Sequence, residues 1–216
     1  MPSHHTHHHA SKSRGHRQCD QCGAIENPAI AKFRKCGGCL STQYCSTNCQ
    51  KVHWPGHRAV CVHTTEAISS SPEHIVHGLR KFAESYNDLL GWVAFQALQL
   101  RRHPANIRQR AFLVELSPRN HSDRARRFTI AGTHIISRSY ISDPVVQQDI
   151  QRREHRARSM GGFGAMVVVL QCGGVSQVMP IEIQSGEQWR HNEEWSSVFH
   201  HCIEAGLEYY LPSNVW

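Results

Sequence analysis

The chain has 216 residues, 39% of them hydrophobic, with nine cysteines and a formal net charge of +7. No run approaches the ~18 apolar residues of a membrane span, and the Met-Pro-Ser start with its polar His run lacks the positive stretch and apolar core of a secretory signal. A soluble, intracellular protein, nuclear or cytoplasmic, is expected.

Residues 1–18 read as a disordered, basic, His-rich tail. The tract His4, His5, His7, His8 and His9 could bind transition metals weakly, but its composition is that of a solvated segment. Seven cysteines and a histidine then crowd into one stretch: Cys19, Cys22, Cys36, Cys39, Cys45, Cys49, His57 and Cys61. The rest of the chain holds only Cys172 and Cys202, read as small core or surface thiols. Disulfides would strand one thiol of an odd set and need an oxidising compartment. Two tetrahedral Zn²⁺ sites, one of four cysteines and one of three cysteines and a histidine, use every member.

Cys19-x-x-Cys22 and Cys36-x-x-Cys39 have the spacing of knuckles, tight turns that bring two sulfurs to one ion, with Gly23, Gly37 and Gly38 as permissive backbone. Cys45 and Cys49 are four apart, as are His57 and Cys61, so each pair would share one face of a short helix. Pro55 between them predicts two short helices rather than one.

The string Cys36-Gly-Gly-Cys39, Tyr44-Cys45, Cys49-Gln50, Trp54, His57 and Cys61 resembles the MYND-type zinc finger. The likeness covers residues 19–61 and fills every metal-ligand position, although the segment from Gly23 to Lys35 is longer than the family's usual loop. The resemblance implies interleaved ligation: Cys19, Cys22, Cys45 and Cys49 for one ion, Cys36, Cys39, His57 and Cys61 for the other. It also implies a protein-interaction module that takes short proline-containing peptides, with Gln50 and Trp54 at the peptide-contacting positions. An exposed indole beside an amide can stack on a proline ring while bonding an extended backbone; the alternative is a Trp54 packed on the zinc core. His53 falls outside the eight ligands and reads as a surface residue or a support behind one.

About forty residues with few apolar side chains cannot bury a stabilising core, so metal would supply it. Metal-bound thiolates would lower the net charge to about +4. Of the basic residues, Lys12, Arg14, Arg17, Lys32, Arg34, Lys35, Lys51 and Arg58 lie in the first 63 positions, against Asp20 and Glu26. Clustered cations invite a nucleic-acid reading, but a DNA-reading finger presents a continuous helix with free side chains. Here the helical positions carry ligands.

Residues 62–71 read as a polar linker, and residues 72–216 as an α+β domain of unassigned role, long enough for its own core. Ser71-Pro72-Glu73 starts a helix, and apolar residues at helical spacing from Ile75 to Leu98 predict one long helix of about 30 residues, ~45 Å, bent near Gly91. Ala111 to Leu116, Phe128 to Ile136, Gly164 to Leu170 and Val175 to Ile183 read as strands of a largely antiparallel sheet. Gln171-Cys-Gly-Gly174 forms a hairpin turn between the last two. Asp143-Pro144 opens a helix running into Arg152, Arg153, Arg156 and Arg158, and a final amphipathic helix carries Trp195, Val198, Phe199, Cys202, Ile203 and Leu207.

Nothing in this second part reads as an enzyme. The methyltransferases that carry this finger have it inserted inside the catalytic domain, whereas here only the tail precedes Cys19, and Arg119-Asn120-His121 lacks the cysteine that would follow in their signature. His121-Ser122-Asp123 has the His-x-Asp form of iron- and 2-oxoglutarate-dependent hydroxylases, with His191, His200 or His201 as third ligand, yet it sits in a turn and four strands are too few for their barrel. The Arg-rich segments Arg101 to Arg110, Arg124 to Arg127 and Arg152 to Arg158 would bind RNA or acids if they converged. The expected protein is a non-catalytic adaptor or regulator holding two Zn²⁺.

Overall fold

The computed structural model describes residues 17–27, 29–69, 72–123, 126–183 and 189–208. The His tract and Ser71 lie outside them. Arg17 and Gln18, assigned to the tail, belong to the finger: Gln18 bridges to Ile25, and Arg17 Nε donates to Gln43 Oε1 at 2.7 Å.

The N-terminal part contains a two-residue ladder, β1 (Arg34–Lys35) against β2 (Gln43–Tyr44), followed by α1 (Thr47–Ser69). Helix α1 is one continuous helix with Pro55 inside it, which corrects the expected pair of short helices. Pro55 leaves the Lys51 carbonyl without its helical partner, but both residues are exposed, so water can take that bond. The helix also runs through the stretch read as a linker and ends at Ser69. It begins with Ser46 as cap, whose Oγ accepts from the Cys49 N–H at 3.1 Å. Cys45 therefore precedes the helix rather than sharing a helical face with Cys49.

The expected long helix is two helices, α2 (Glu73–Ser85) and α3 (Asn87–Ala97), broken at Tyr86 with φ −111° and ψ 18°. Gly91 lies inside α3, and the break comes at Tyr86 instead. A straight helix of ~45 Å would outrun nine-residue strands, which span about 30 Å; breaking at the buried Tyr86 keeps both apolar segments over the sheet. Residues Leu89 to Ala97 are all buried, with Gln96 as the one polar side chain among them, donating to Arg190 O.

A short helix α4 (Asn106–Gln109) leads into the sheet of β3 (Arg110–Pro118), β4 (Phe128–Ser137), β5 (Gly164–Cys172) and β6 (Val175–Ile183). The strand order is β4-β3-β5-β6; only β3 and β5 pair parallel. Gly173 (φ 54°) and Gly174 (φ 80°) form the two-residue turn between β5 and β6, the doubly left-handed geometry whose twist matches the strands. Helices α5 (Pro144–Ser159) and α6 (Trp195–Ala205) complete the fold. Asp143 caps α5 by accepting from the N–H groups of Val145 and Val146, with Pro144 in the first turn.

The α+β part has three layers. Phe112, Val114, Met166, Val168 and Leu170 face α2, α3 and α6, where Leu79, Phe82, Leu90, Val93 and Phe199 meet them. Alternate residues Ala111, Leu113, Val167 and Val169 face Ile150 of α5 and Ile141. Both faces are covered, so β5 reads as a continuous apolar run. Cys172 and Cys202 are buried in the larger cluster, and burial pushes both thiols up.

Candidate metal centre

The finger's core is mostly sulfur: Cys19, Cys36, Cys39 and Cys61 are buried with only Phe33 and Tyr44 for apolar company. Its eight donors fall into two groups, Cys19, Cys22, Cys45, Cys49 and Cys36, Cys39, His57, Cys61, each with all ligand atoms within 4.8 Å of one another. All nine cysteines are free thiols. Neighbouring sulfurs stand at 3.6 Å (Cys22–Cys45), 3.5 Å (Cys45–Cys49) and 3.7 Å (Cys36–Cys61). A disulfide would be near 2.05 Å, whereas sulfurs around one tetrahedral Zn²⁺ are about 3.8 Å apart and a sulfur–nitrogen pair about 3.6 Å. Cys39 Sγ and His57 Nε2 lie 3.5 Å apart. The donor set fits two Zn²⁺, each held by the four residues of one group.

The two knuckles are built alike. The Gly23 N–H donates to Cys19 O at 2.9 Å and the Leu40 N–H to Cys36 O at 3.0 Å. Turned this way, each loop aims N–H groups at sulfur. Burial raises the Cys19 thiol, but the N–H groups of Cys22, Cys45 and Gln21 outweigh it and bring it to about 7. Burial likewise opposes Cys39, yet His57 and the N–H groups of Thr42 and Ser41 take it to about 6. Their companions move oppositely. Cys45 is pushed up to about 12, first by its contact with Cys49, and Cys61 to about 11 by burial and Cys36. Four thiolates crowd one another unless a cation sits among them.

Behind the second site, Tyr44 Oη and His53 Nδ1 share a hydrogen bond at 2.9 Å, and the His53 ring stacks on His57 with centroids 5.4 Å apart. His53 is thus a buried support behind a ligand. Burial lowers it to about 4, so it is neutral at pH 7. The Cys36, Cys39, His57, Cys61 group is wholly buried, while Cys22 of the other group is exposed.

Trp54 is 43% exposed and meets His57 edge-on at 6.1 Å. It therefore packs on a ligand with part of its ring and leaves the rest open. Gln50, one turn earlier on α1, is half-buried.

Sequence reasoning missed how the finger meets the α+β part. Asp20, inside the first knuckle, is 3% exposed. Its Oδ1 lies 2.7 Å from Arg153 Nη2, and its carbonyl accepts from Arg152 Nη1 at 3.1 Å. Arg156 Nη1 donates to the carbonyls of Cys19, at 3.2 Å, and Asp20. Asp149 and Glu182 hold the same guanidiniums from the other side. On the second knuckle, Arg80 Nη2 of α2 donates to Cys39 O. The signals were an acid between two ligand cysteines and arginines at i, i+1 and i+4 of α5.

The arginines of α5 offered as an RNA or acid face are thus largely spent inside the protein, with Arg158 on Glu154. Arg119 pairs with Glu204. Arg101, Arg102, Arg108 and Arg110 are exposed and do not join them. His121 Nδ1 accepts from the Asp123 N–H at 3.0 Å, His191, His200 and His201 are exposed, and none of them shares a ligand group with His121 and Asp123 among the described residues. Among the described residues the two cysteine groups are the only sets of three or more His, Cys, Asp or Glu able to share an ion. No helix among the described residues is long and apolar enough to cross a membrane.

Residues 19–61 match the family model described as MYND finger. Over 53 residues the chain is 47% identical to the MYND-type zinc finger protein samB of Aspergillus clavatus. That match covers 24% of this chain and 8% of the relative's length. No solved structure matches the chain. Residues 19–61 are a MYND finger built for two Zn²⁺, a module that in this family generally mediates protein interactions.

Proposed function

We propose that this chain is an intracellular, non-catalytic adaptor or regulator whose finger takes a short proline-containing peptide at Gln50 and Trp54, with residues 72–216 as a separate α+β domain. The open part of the Trp54 ring carries the reading. Its 43% exposure leaves an indole surface beside the Gln50 amide on one helix, and its edge contact with His57 ties that surface to the metal site. A large aromatic ring held rigidly is a low-entropy platform for a proline ring.

The test is fluorescence titration of the zinc-loaded full chain with a library of proline-containing peptides. A binding peptide should lose roughly tenfold or more in affinity on Trp54→Ala, with zinc content unchanged. Peptides that bind the variant as well as the wild type would refute the assignment of Trp54. Nucleic acid bound with strong salt dependence, and no peptide bound, would move the reading to the exposed Arg101–Arg110 surface.

A further inference from the structure

Each zinc knuckle is gripped from outside by cations of the α+β part, and by different ones. The first knuckle's carbonyls, Cys19 O and Asp20 O, receive Arg152 and Arg156 of α5, while its acid receives Arg153. The second knuckle's last carbonyl, Cys39 O, receives Arg80 of α2. These contacts bridge as many as 137 positions of sequence. The side chains are well shielded: Arg156 is 12% exposed and Arg153 17%. Glu182 and Asp149 fix the guanidiniums in place before the knuckle is reached.

A knuckle works by peptide orientation. Its first carbonyl accepts the closing N–H, and the peptides between the cysteines must then turn their N–H groups towards sulfur. Arg152 and Arg156 donate to Asp20 O, the far end of the peptide whose Gln21 N–H points at the Cys19 sulfur, and Arg80 donates to Cys39 O, the far end of the peptide whose Leu40 N–H closes the second knuckle on Cys36 O. The charges agree as well. An all-cysteine site with its ion carries about −2, and the α5 arginines stand on its outer side where that charge needs cations. The other site carries about −1 and receives one, Arg80.

We propose that Arg152, Arg153 and Arg156 are positioning residues for the site of Cys19, Cys22, Cys45 and Cys49, and that Arg80 is the positioning residue for the site of Cys36, Cys39, His57 and Cys61. The α+β part thereby acts as a retention clamp for metal in the finger. Groups that orient ligands from behind typically change metal affinity by about 10–100-fold when removed.

The two sites differ in ligand chemistry, so they can be read separately. The full chain is loaded with Co²⁺, whose sulfur charge-transfer and d–d bands distinguish an all-cysteine site from a Cys₃His site, and release to excess EDTA is followed by stopped flow. Arg156→Gln should speed release from the all-cysteine site about tenfold or more, with the Cys₃His site at the wild-type rate. Arg80→Gln should do the converse. Should Arg156→Gln fail to fold, Arg156→Lys, which keeps the charge and loses the fork, replaces it with the same expectation. Release rates that are unchanged, or that change equally at both sites, overturn the clamp. A wild-type chain that takes up fewer than two ions overturns the metal assignment along with it.

Discussion

Gly23 and Leu40 are counterparts. Each follows the second cysteine of a knuckle, each has a left-handed backbone, φ 75° and φ 55°, and each gives its N–H to the carbonyl of the first cysteine. Only one of them is the residue that this geometry favours.

Leu40 already carries the left-handed strain that Gly23 avoids. A β-carbon at Gly23 would meet the end of the Met160 side chain, which is 47% exposed and free to swing aside, so the cost of a side chain there is the left-handed strain. Gly23→Ala should therefore destabilise the protein by about 1–2 kcal/mol, whereas Leu40→Gly, which relieves strain while loosening the unfolded chain, should change stability by less than about 1 kcal/mol. Urea unfolding of the zinc-loaded variants measures both. Equal effects at the two positions would contradict the asymmetry.

Pro55 sits in mid-helix without an N–H to give. Replacing it restores one helical hydrogen bond and removes a ring clash, an interior penalty of ~3 kcal/mol offset in part by the stiffer unfolded chain. Pro55→Ala should raise stability by about 2 kcal/mol and leave two zinc ions bound. A lower melting temperature would show that the proline fits a bend the helix requires.

Burial pushes the Asp149 carboxyl up, but the guanidiniums of Arg153 and Arg152 outweigh it and hold it well below the ordinary carboxylate range. Its folded pKa is depressed, so its contribution is complete above the unfolded value of ~3.9 and fades only as pH falls below that. Thermal melts of wild type and Asp149→Asn should thus differ by a constant amount between pH 5 and pH 8, with the variant less stable. A gap that closes within that window would mean Asp149 titrates there.

The sequence carried the local rules well. Strand alternation, the Asp143-Pro144 start and the Gly173-Gly174 turn each depend on a few adjacent residues, and all appear where expected. The eight donors were legible because sulfur in a small apolar-poor segment has few other uses. What stayed hidden depends on distance. The break at Tyr86 comes from the length of the sheet beneath α2 and α3, not from Tyr86's own propensity. Pro55 was misread because a breaker in mid-helix is overruled when His57 and Cys61 beyond it are tied to the same centre as Cys36 and Cys39. Asp20 and Arg156 meet across 136 residues, and no periodicity encodes such a pair. The arginines of α5 read as an RNA- or acid-binding run because two of their acids, Asp20 and Glu182, come from other elements.

The most direct measurement is zinc content, by elemental analysis and native mass spectrometry of the full chain, followed by chelation under hydrogen exchange. Two zinc ions per chain are expected, with chelation stripping protection from residues 19–61 while the core of β3 to β6 stays protected. One ion per chain, or none, would contradict the two-site account.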